Sequence, residues 1–501
     1  MPKYPEFSRR LQKPRLPVVG HPLQPACLSR REALKRLGYG LTLPALHGFV
    51  SPFSALAWAQ DKTPYARRIA DYICDVRFED LSSAVVAKCK EHLIYHVGLA
   101  FSGALTANGE QGVEIARTLS GGRGDTTIIG HGLKVPMLES AFANSMFIRA
   151  LGYDDVLFPS ATHAGLLTYP VAMAVGEQQH RSGKEFMLAV VTGYEVLGKL
   201  VTEQDECRAP RRPSMPFGPF ASATVAARLM QLEPAQAANA IGYAADTAMG
   251  LKAGHEQQPT HVYGWIARNA ITAAIVAQAG GETSPTILEE KYGYFNTMIG
   301  EMPNLDAVVE RLGQDPEILR ATQKRYPGTA MNIVPIELVR EMIAEHRLNA
   351  SNVASVALEL PEWRKTFETS TATGPYGSRT QAESSVPFQI AIMLLDGRQD
   401  NDRYEQLDNP EILDVTRRIT VRLAPHDNER YAGVVITTTD GSVLQAEGED
   451  FVFPPLDGLE WLRKDGEKFL PVEQLRRFAA MVERLENIDD VGVLLKELRP
   501  A

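Results

Sequence analysis

The 501-residue sequence predicts a mainly α protein with a large all-helical domain and a smaller α+β domain. Up to residue 279, alanine-rich stretches repeat with the period of helices that are buried on several sides. After residue 350 the pattern changes, because residues 352–361 and 417–425 alternate at a period of two and are rich in β-branched side chains. Asp440-Gly441 lies between two further β-prone runs, a pattern typical of a hairpin. The helical domain is therefore expected first, and the sheet after it.

Apolar spacing predicts the individual helices. In the first, the residues at i, i+3, i+4 and i+7 are Ile69, Tyr72, Ile73 and Val76. The second follows a Ser-rich start after Asp80 and presents an apolar face of Val86, Cys89, Leu93 and Val97. Further helices are predicted over residues 138–151, 165–177, 183–204, 221–232, 234–248, 264–279, 386–395 and 472–498.

Residues 1–59 predict a twin-arginine signal peptide. Arg30-Arg31 resembles the bacterial twin-arginine motif, residues 37–56 are mildly apolar, and Ala57-Trp-Ala59 fits a small-residue cleavage pattern. We therefore expect export by the twin-arginine machinery and a periplasmic location. The alternative is an amphipathic N-terminal helix or a disordered tail.

The charge of the remaining chain excludes one class of partner. The first 59 residues hold nine basic and two acidic residues, so the rest holds 43 basic and 59 acidic residues, a net charge of −16. A nucleic-acid-binding surface requires a basic footprint, and we expect no nucleic-acid partner. No later stretch offers the roughly 20 continuous apolar residues of a membrane span, so no membrane contact of the mature chain is expected.

Four segments resemble the ordered landmarks of the MmgE/PrpD family, which includes 2-methylcitrate dehydratase and cis-aconitate decarboxylase. The resemblance extends from about residue 66 to the C-terminus. The four segments are ALGYDDVLFPSATHAG (150–165), ILEEKYGYF (287–295), KRYPG (324–328) and AESSVPFQIAIMLLDG (382–397).

The resemblance implies a domain division and an assembly. It implies an all-helical domain over residues 60–258 and an α+β lid over residues 259–455, whose first helix packs either with the lid or with the helical domain. Residues 456–501 are expected to return to the helical domain. It also implies a homodimer and a site between the two domains that binds small di- or tricarboxylates, with no cofactor and no metal.

The resemblance also implies the site residues, one by one. His163 matches the catalytic histidine of the family, Lys324 and Tyr326 match its K-x-[YF]-P segment, and Asp154 and Asp155 match its acidic pair. From the residues alone, a capping or buried structural histidine is the favoured interpretation of His163. The two aspartates are equally compatible with a solvated turn.

Other family positions are replaced here. Arg212, next to Arg211, stands where the family has a histidine, and it predicts a carboxylate anchor because a guanidinium binds a carboxylate through two hydrogen bonds. Lys252 and His261 are candidates for a K-x-x-H-x-G segment in two alternative registers. These four residues are the predicted substrate-binding residues, and the replacements indicate a substrate other than those of the named relatives.

The functional prediction is a cofactor-independent lyase. It would transfer protons next to a carboxylate of a small di- or tricarboxylate and release water or carbon dioxide. A histidine exchanges protons near neutral pH, and the cations Lys324 and Arg212 would stabilise the negative charge that develops on the substrate. An isomerase or epimerase with the same groups, and a non-catalytic periplasmic binding protein, are the alternatives.

Overall fold

The computed structural model describes residues 63–158, 162–202, 214–248, 260–451, 453 and 456–500. The predicted signal peptide therefore lies outside the described residues. Up to residue 278 the described chain is almost entirely helical, as predicted. Its helices are α1 (Tyr65–Asp75), α2 (Ser83–Ala104), α3 (Ala107–Ser120), α4 (Met137–Arg149), α5 (Gly165–Gln178), α6 (Gly183–Thr202), α7 (Ser214–Leu229), α8 (Pro234–Asp246) and α9 (Thr260–Gln278).

Helix α5 lies at the centre of this bundle. It packs against α4, α6, α7 and α9, and every residue from Gly165 to Glu177 is buried. A helix enclosed on all sides has no polar face, which explains its continuous run of apolar and small residues. The loop that leads into α5 is therefore held against the middle of the helical core.

Local sequence signals account for the helix ends. Ser82 caps α2, since its side-chain oxygen accepts a hydrogen bond from the Val85 amide, and this confirms the predicted start of that helix.

Helix α9 packs against α4, α7 and α8, so the helix at the predicted domain boundary lies with the helical bundle.

The second part of the chain is α+β. Its elements are α11 (Ile333–His346), β5 (Val353–Pro361), α12 (Arg379–Ser384), α13 (Val386–Asp396), α14 (Pro410–Thr416), β6 (Ile419–Ala424), β7 (Ala432–Thr438) and β8 (Val443–Gly448). The four strands form a sheet of the order β6-β5-β7-β8, with β5 and β6 parallel and the other neighbours antiparallel. Buried side chains on its inner face include Val356, Leu358, Val434 and Ile436, and α11 packs on β7 and β8.

Four very short strands form two further pairings among the loops. β1 pairs with β2, and β3 pairs with β4, both antiparallel. A short helix, α10 (Leu305–Glu310), precedes β4. The strands are β1 (Thr126–Thr127), β2 (Lys134–Val135), β3 (Val156–Leu157) and β4 (Ala321–Thr322).

The C-terminal segment returns to the helical bundle. It forms α15 (Gly458–Gly466), α16 (Val472–Glu483) and α17 (Val491–Lys496). Helices α15 and α16 pack against α2, and α17 packs against α5. Residues 472–498 are helical as predicted, but in two pieces, because the chain breaks between α16 and α17. A screen of the described helices finds none with the length and apolar character of a membrane span.

Candidate active site

The acidic pair lies in the loop between α4 and α5. Gly152 has a left-handed backbone, with φ of +67°, and turns the chain after α4 so that Asp154 and Asp155 point into the protein. β3 follows the pair directly, and its register joins Val156 to Thr322 of β4. Lys324, two residues beyond β4, is thereby brought to the aspartates.

Asp154 is completely buried among three basic groups. Its Oδ1 accepts a hydrogen bond from the Arg149 guanidinium at 2.8 Å and lies 4.0 Å from Lys324 Nζ, while its Oδ2 lies 2.7 Å from His163 Nδ1. Burial by itself raises the pKa of Asp154, but the three neighbouring basic groups hold that pKa well below its usual range. Asp154 is therefore an anion at every pH at which the protein is expected to work.

Lys324 is buried and fixed by the backbone. Its Nζ donates to the Gly152 carbonyl at 2.6 Å and to the Gly328 carbonyl at 3.1 Å. Burial lowers the pKa of Lys324, and Asp154 acts in the opposite direction. On α2, the Tyr95 hydroxyl accepts the Lys324 amide hydrogen at 3.0 Å and donates to the Tyr153 carbonyl, which ties the two loops together.

His163 is oriented through one ring nitrogen. Its Nδ1 lies 2.8 Å from the Asp155 backbone carbonyl, and its amide donates to Ser214 Oγ at 3.1 Å. A carbonyl only accepts, so Nδ1 carries a hydrogen and Nε2 of the neutral ring has a free lone pair. Asp154 Oδ2 is near enough for an ion pair but is not aligned to accept that hydrogen. Within the described chain no group hydrogen-bonds Nε2, and the side chain is 17% exposed.

Asp155 is buried and points away from His163, into the helical core. Its Oδ1 accepts from the Gly165 amide at 3.0 Å and lies 3.2 Å from His96 Nε2. Its Oδ2 accepts from the Tyr194 hydroxyl at 2.7 Å and lies 3.6 Å from His92 Nδ1. Burial by itself raises the pKa of Asp155. The two histidines on α2 lower that pKa by more, so it lies below its usual range.

The remaining predicted residues lie elsewhere. The Tyr326 hydroxyl faces Ile333 and Glu337 of α11, and burial followed by Glu337 raises its pKa well above the usual range. His261, at the start of α9, is exposed and packs edge-on against Trp265. Within the described structure, no hydrogen bond or ion pair joins either residue to Asp154 or His163. Arg211, Arg212 and Lys252 lie outside the described residues.

Four residues around the aspartates were not predicted from the sequence. Arg149 pairs with Asp154. Its position at the end of α4, only five residues before the aspartate, is a signal that could have identified it. His92 and His96 are four residues apart and therefore on one face of α2, which is a usable signal. Tyr194 lies within an apolar run of α6 and carries no such signal.

The arrangement of these residues supports proton transfer by His163, next to the buried carboxylate of Asp154. The free nitrogen of His163 can accept or donate a proton, and Asp154 lies where it stabilises the protonated ring. Arg149 and Lys324 supply fixed positive charge in a buried region, where electrostatic interactions are strong. Among the described residues, no group of three His, Cys, Asp or Glu side chains is arranged to hold a metal ion.

Comparison with protein-family models gives two adjacent matches. The MmgE/PrpD N-terminal domain matches residues 67–305, and the MmgE/PrpD C-terminal domain matches residues 326–453. Asp154, Asp155 and His163 fall within the first match, and Lys324 falls in the short interval between the two.

Characterised relatives are similar at low identity over most of the chain. Cis-aconitate decarboxylase of Aspergillus terreus is 24% identical over 395 residues, which cover 72% of this chain and 78% of that protein. Cis-aconitate decarboxylase of Mus musculus is 21% identical over 458 residues, covering 86% of this chain and 92% of that protein. A cis-aconitate decarboxylase-like protein of Aspergillus oryzae, oryM, is 24% identical over 485 residues, covering 87% and 98%.

Proposed function

Because the chain belongs to the MmgE/PrpD family, we propose that it is a cofactor-independent lyase acting on a small di- or tricarboxylate. The family and the relatives named as cis-aconitate decarboxylases support a lyase-type function in general. The finer proposal is that the enzyme transfers a proton next to a substrate carboxylate and releases carbon dioxide or water.

The geometry of His163 carries this proposal. Its Nδ1 is held by the Asp155 carbonyl at 2.8 Å, and its Nε2 has no hydrogen-bond partner among the described residues and can exchange a proton with a substrate. A ring fixed in one tautomer presents the same nitrogen at every turnover, which is what a general acid or base requires. Asp154 Oδ2, 2.7 Å from Nδ1, stabilises the ring after it has taken up a proton.

The charge around His163 suits an anionic substrate. Arg149 and Lys324 are cations and Asp154 is an anion, so with a neutral His163 this cluster has a net charge of +1. One substrate carboxylate would balance that charge. We propose that Arg211 and Arg212, with Lys252 and His261 as further candidates, bind the other carboxylates of the substrate.

Two balanced reactions fit these groups. In a decarboxylation, the bond from carbon to the departing carboxylate breaks, and its electron pair moves into a conjugated carboxylate. Carbon dioxide leaves, and His163, previously protonated by solvent, donates a proton to carbon. In a dehydration, His163 removes the proton next to the carboxylate, a carbon–carbon double bond forms, and the departing hydroxide takes up a proton from solvent and leaves as water. Both routes build negative charge on the substrate, which the nearby cations stabilise.

The test is proton–deuterium exchange followed by NMR. The full chain in heavy water is incubated with cis-aconitate and with saturated hydroxy-di- and tricarboxylates. We expect exchange or new vinyl signals with at least one compound. His163→Ala should lower that rate by about 10²- to 10⁴-fold, the usual contribution of a general acid or base. The control is His180→Ala, because His180 is 77% exposed and its ion-pair partner among the described residues is Asp490, at the surface.

Other outcomes would favour the alternatives. Exchange without loss of water or carbon dioxide would indicate an isomerase or epimerase. Binding without turnover, unchanged in His163→Ala, would indicate a non-catalytic binding protein.

We further propose that the protein is a homodimer and is exported to the periplasm by the twin-arginine route. The support for export is the Arg30-Arg31 motif, and the support for the dimer is the family resemblance. Light scattering of the purified chain tests the dimer.

A further inference from the structure

His96 is a fully enclosed titratable group next to the site. It lies on α2, is fully buried, and its ring stacks on Tyr169 with centroids 4.8 Å apart. Its Nδ1 lies 2.7 Å from the His92 backbone carbonyl, one turn earlier in the helix, and its Nε2 lies 3.2 Å from Asp155 Oδ1. Both ring nitrogens therefore face oxygens.

The partners of these nitrogens define the protons on the ring. A backbone carbonyl only accepts, so Nδ1 carries a hydrogen. Asp155 is bonded as a carboxylate, since it accepts from the Gly165 amide at 3.0 Å and from the Tyr194 hydroxyl at 2.7 Å. Gly165 is the first residue of α5, and the N-terminus of a helix favours a negative charge. An ionised Asp155 requires that Nε2 of His96 also carries a hydrogen.

The other groups that face this pair supply no positive charge. Tyr194 and Tyr169 are neutral, since burial raises the pKa of each well above its usual range. Tyr95, on the other side of the His96 ring, is neutral for the same reason. Burial lowers the pKa of His92, and its buried Nε2 has no hydrogen-bond partner in the described structure. His96 is thus the counter-ion that these neighbours leave for Asp155.

We propose that His96 is a buried imidazolium whose ion pair with Asp155 positions His163 for proton transfer. This inference rests on the proposed function, in which His163 is the acid–base group. His96 touches no substrate in this scheme. It is a positioning residue that acts through Asp155.

The coupling passes through a single residue. The Asp155 side chain is anchored by α2, α5 and α6, while its backbone carbonyl receives Nδ1 of His163 at 2.8 Å. Because the side chain is held on both oxygens, the carbonyl has a fixed direction, and His163 keeps its hydrogen on Nδ1. Loss of the charge on His96 would leave a buried carboxylate without a counter-ion, and the loop would rearrange to solvate it.

Gly165 shows how tightly the pair is enclosed. A Cβ atom at this position would lie 1.9 Å from His96 Nε2 and 2.8 Å from Asp155 Oδ1. Gly165→Ala therefore displaces the His96 ring without removing its charge. This gives a second route to break the ion pair, independent of substitution at His96.

The first experiment reads protonation directly and needs no turnover. Full-length protein labelled with ¹⁵N-histidine is examined by NMR at pH 7.5, and the His96 and His163 signals are assigned by their loss in His96→Gln and His163→Ala. We expect two protonated ring nitrogens for His96 and a hydrogen on Nδ1 alone for His163. In His96→Gln, which keeps a donor but no charge, His163 should become a mixture of tautomers. A singly protonated His96 in the wild type would overturn the proposal, whatever the activity of the variants.

The second experiment reads the consequence for catalysis. We expect His96→Gln and Gly165→Ala to lower kcat at least about 10-fold with little change in KM, as for other groups that orient a catalytic histidine. In a His163→Ala background, His96→Gln should have no further effect, because both changes remove one function. An additive loss in the double variant would contradict the positioning role. If no substrate is turned over, the proposed function fails while the NMR result still decides the protonation of His96.

Discussion

At the scale of single residues, Asp154 organises the charges of the site. Arg149 and Lys324 are both largely withdrawn from solvent, and Asp154 is the buried carboxylate between them. A buried ion pair contributes little net stability compared with apolar residues, but removal of one partner leaves an uncompensated charge. The two neighbouring cations therefore require the negative charge of Asp154.

Substitution of Asp154 by asparagine tests this requirement through pH. Although burial raises the pKa of Asp154, its three basic neighbours lower that pKa well below the usual range. A carboxyl group shifted in this direction adds stability above its unfolded pKa of about 3.9, and this stability is lost as the pH falls through the folded pKa. We expect Asp154→Asn to lower the free energy of unfolding by about 3–5 kcal/mol at pH 7, and by less below about pH 3.9.

Urea unfolding at the two pH values measures both free energies. The matched control is Asp71→Asn, which removes a surface pair with Arg67 and should change stability by no more than about 1 kcal/mol. An equal destabilisation by Asp154→Asn at both pH values would show that the charge is not responsible.

The sequence indicated part of this cluster for physical reasons. Asp154, Asp155 and His163 are close in the chain, so a short loop suffices to bring them together. Lys324 is some 170 residues away and was assigned only through its resemblance to a family segment. Tyr326 was assigned in the same way, but its hydroxyl faces α11, because the chain turns between the two residues. His96 was missed because a buried histidine in an apolar helix has the same pattern as a core residue.

At the scale of elements, a two-residue strand pairing holds the site together. β3 and β4 join the loop of the aspartates to the loop of Lys324. No periodicity can be read from two residues, so such a pairing is invisible to sequence patterns. The longer elements were predictable for the opposite reason. The Asp440-Gly441 hairpin is confirmed as β7 and β8, and the predicted strand over 352–361 is β5.

Two helix boundaries that the sequence pattern did not show have local causes. Helix α7 starts at Ser214 instead of residue 221, because Pro216 lies in its first turn, where proline is tolerated, and Pro219 is enclosed by neighbouring helices. The C-terminal helix stops at Glu483, and Asp490 caps a new helix through the Gly492 amide. Capping by an aspartate inside an apolar pattern marks a start that periodicity alone does not show.

Substitution of Gly328 tests whether the conformation of its loop sets the position of Lys324. Its φ is +119°, and a Cβ atom would lie 2.1 Å from Gln389 Nε2. We expect Gly328→Ala to destabilise the protein by about 1–3 kcal/mol, because the residue would be both strained and in collision. It should also lower activity at least about 10-fold, since the Gly328 carbonyl is an acceptor for Lys324.

The control separates strain from contact. Gly441 also has a positive φ, +88°, but a Cβ atom there would have nothing within 4 Å. Gly441→Ala should therefore show backbone strain alone, with a smaller loss of stability and wild-type activity. Thermal unfolding and the exchange assay on both variants supply the comparison. Full activity in Gly328→Ala would show that the loop does not set the position of Lys324.

At the scale of the whole molecule, the site is a positive cluster within an acidic protein. Beyond residue 59 the chain has 43 basic and 59 acidic residues, yet Arg149 and Lys324 outnumber Asp154 beside His163. The anionic substrate that we propose would therefore be attracted by the buried cluster, since the chain as a whole is acidic. The mainly α fold with a smaller α+β part was predictable because long periodic segments dominate both parts of the chain, whereas the charge of the site depends on contacts between distant segments.

The first 59 residues are basic, whereas the rest of the chain is acidic. This difference leads to a prediction about the location of the protein. We expect the full chain, produced in a bacterium with a twin-arginine pathway, to be found in the periplasmic fraction and to begin at Gln60. Replacement of both Arg30 and Arg31 by lysine should abolish export, because the export receptor recognises the arginine motif.

The sequence contains a matched control, since Arg9-Arg10 is a second arginine pair, far upstream of the apolar stretch. Lysine at both of those positions should leave export unchanged. Equal periplasmic yields from the two double variants, or an unprocessed cytoplasmic protein in every case, would exclude this route.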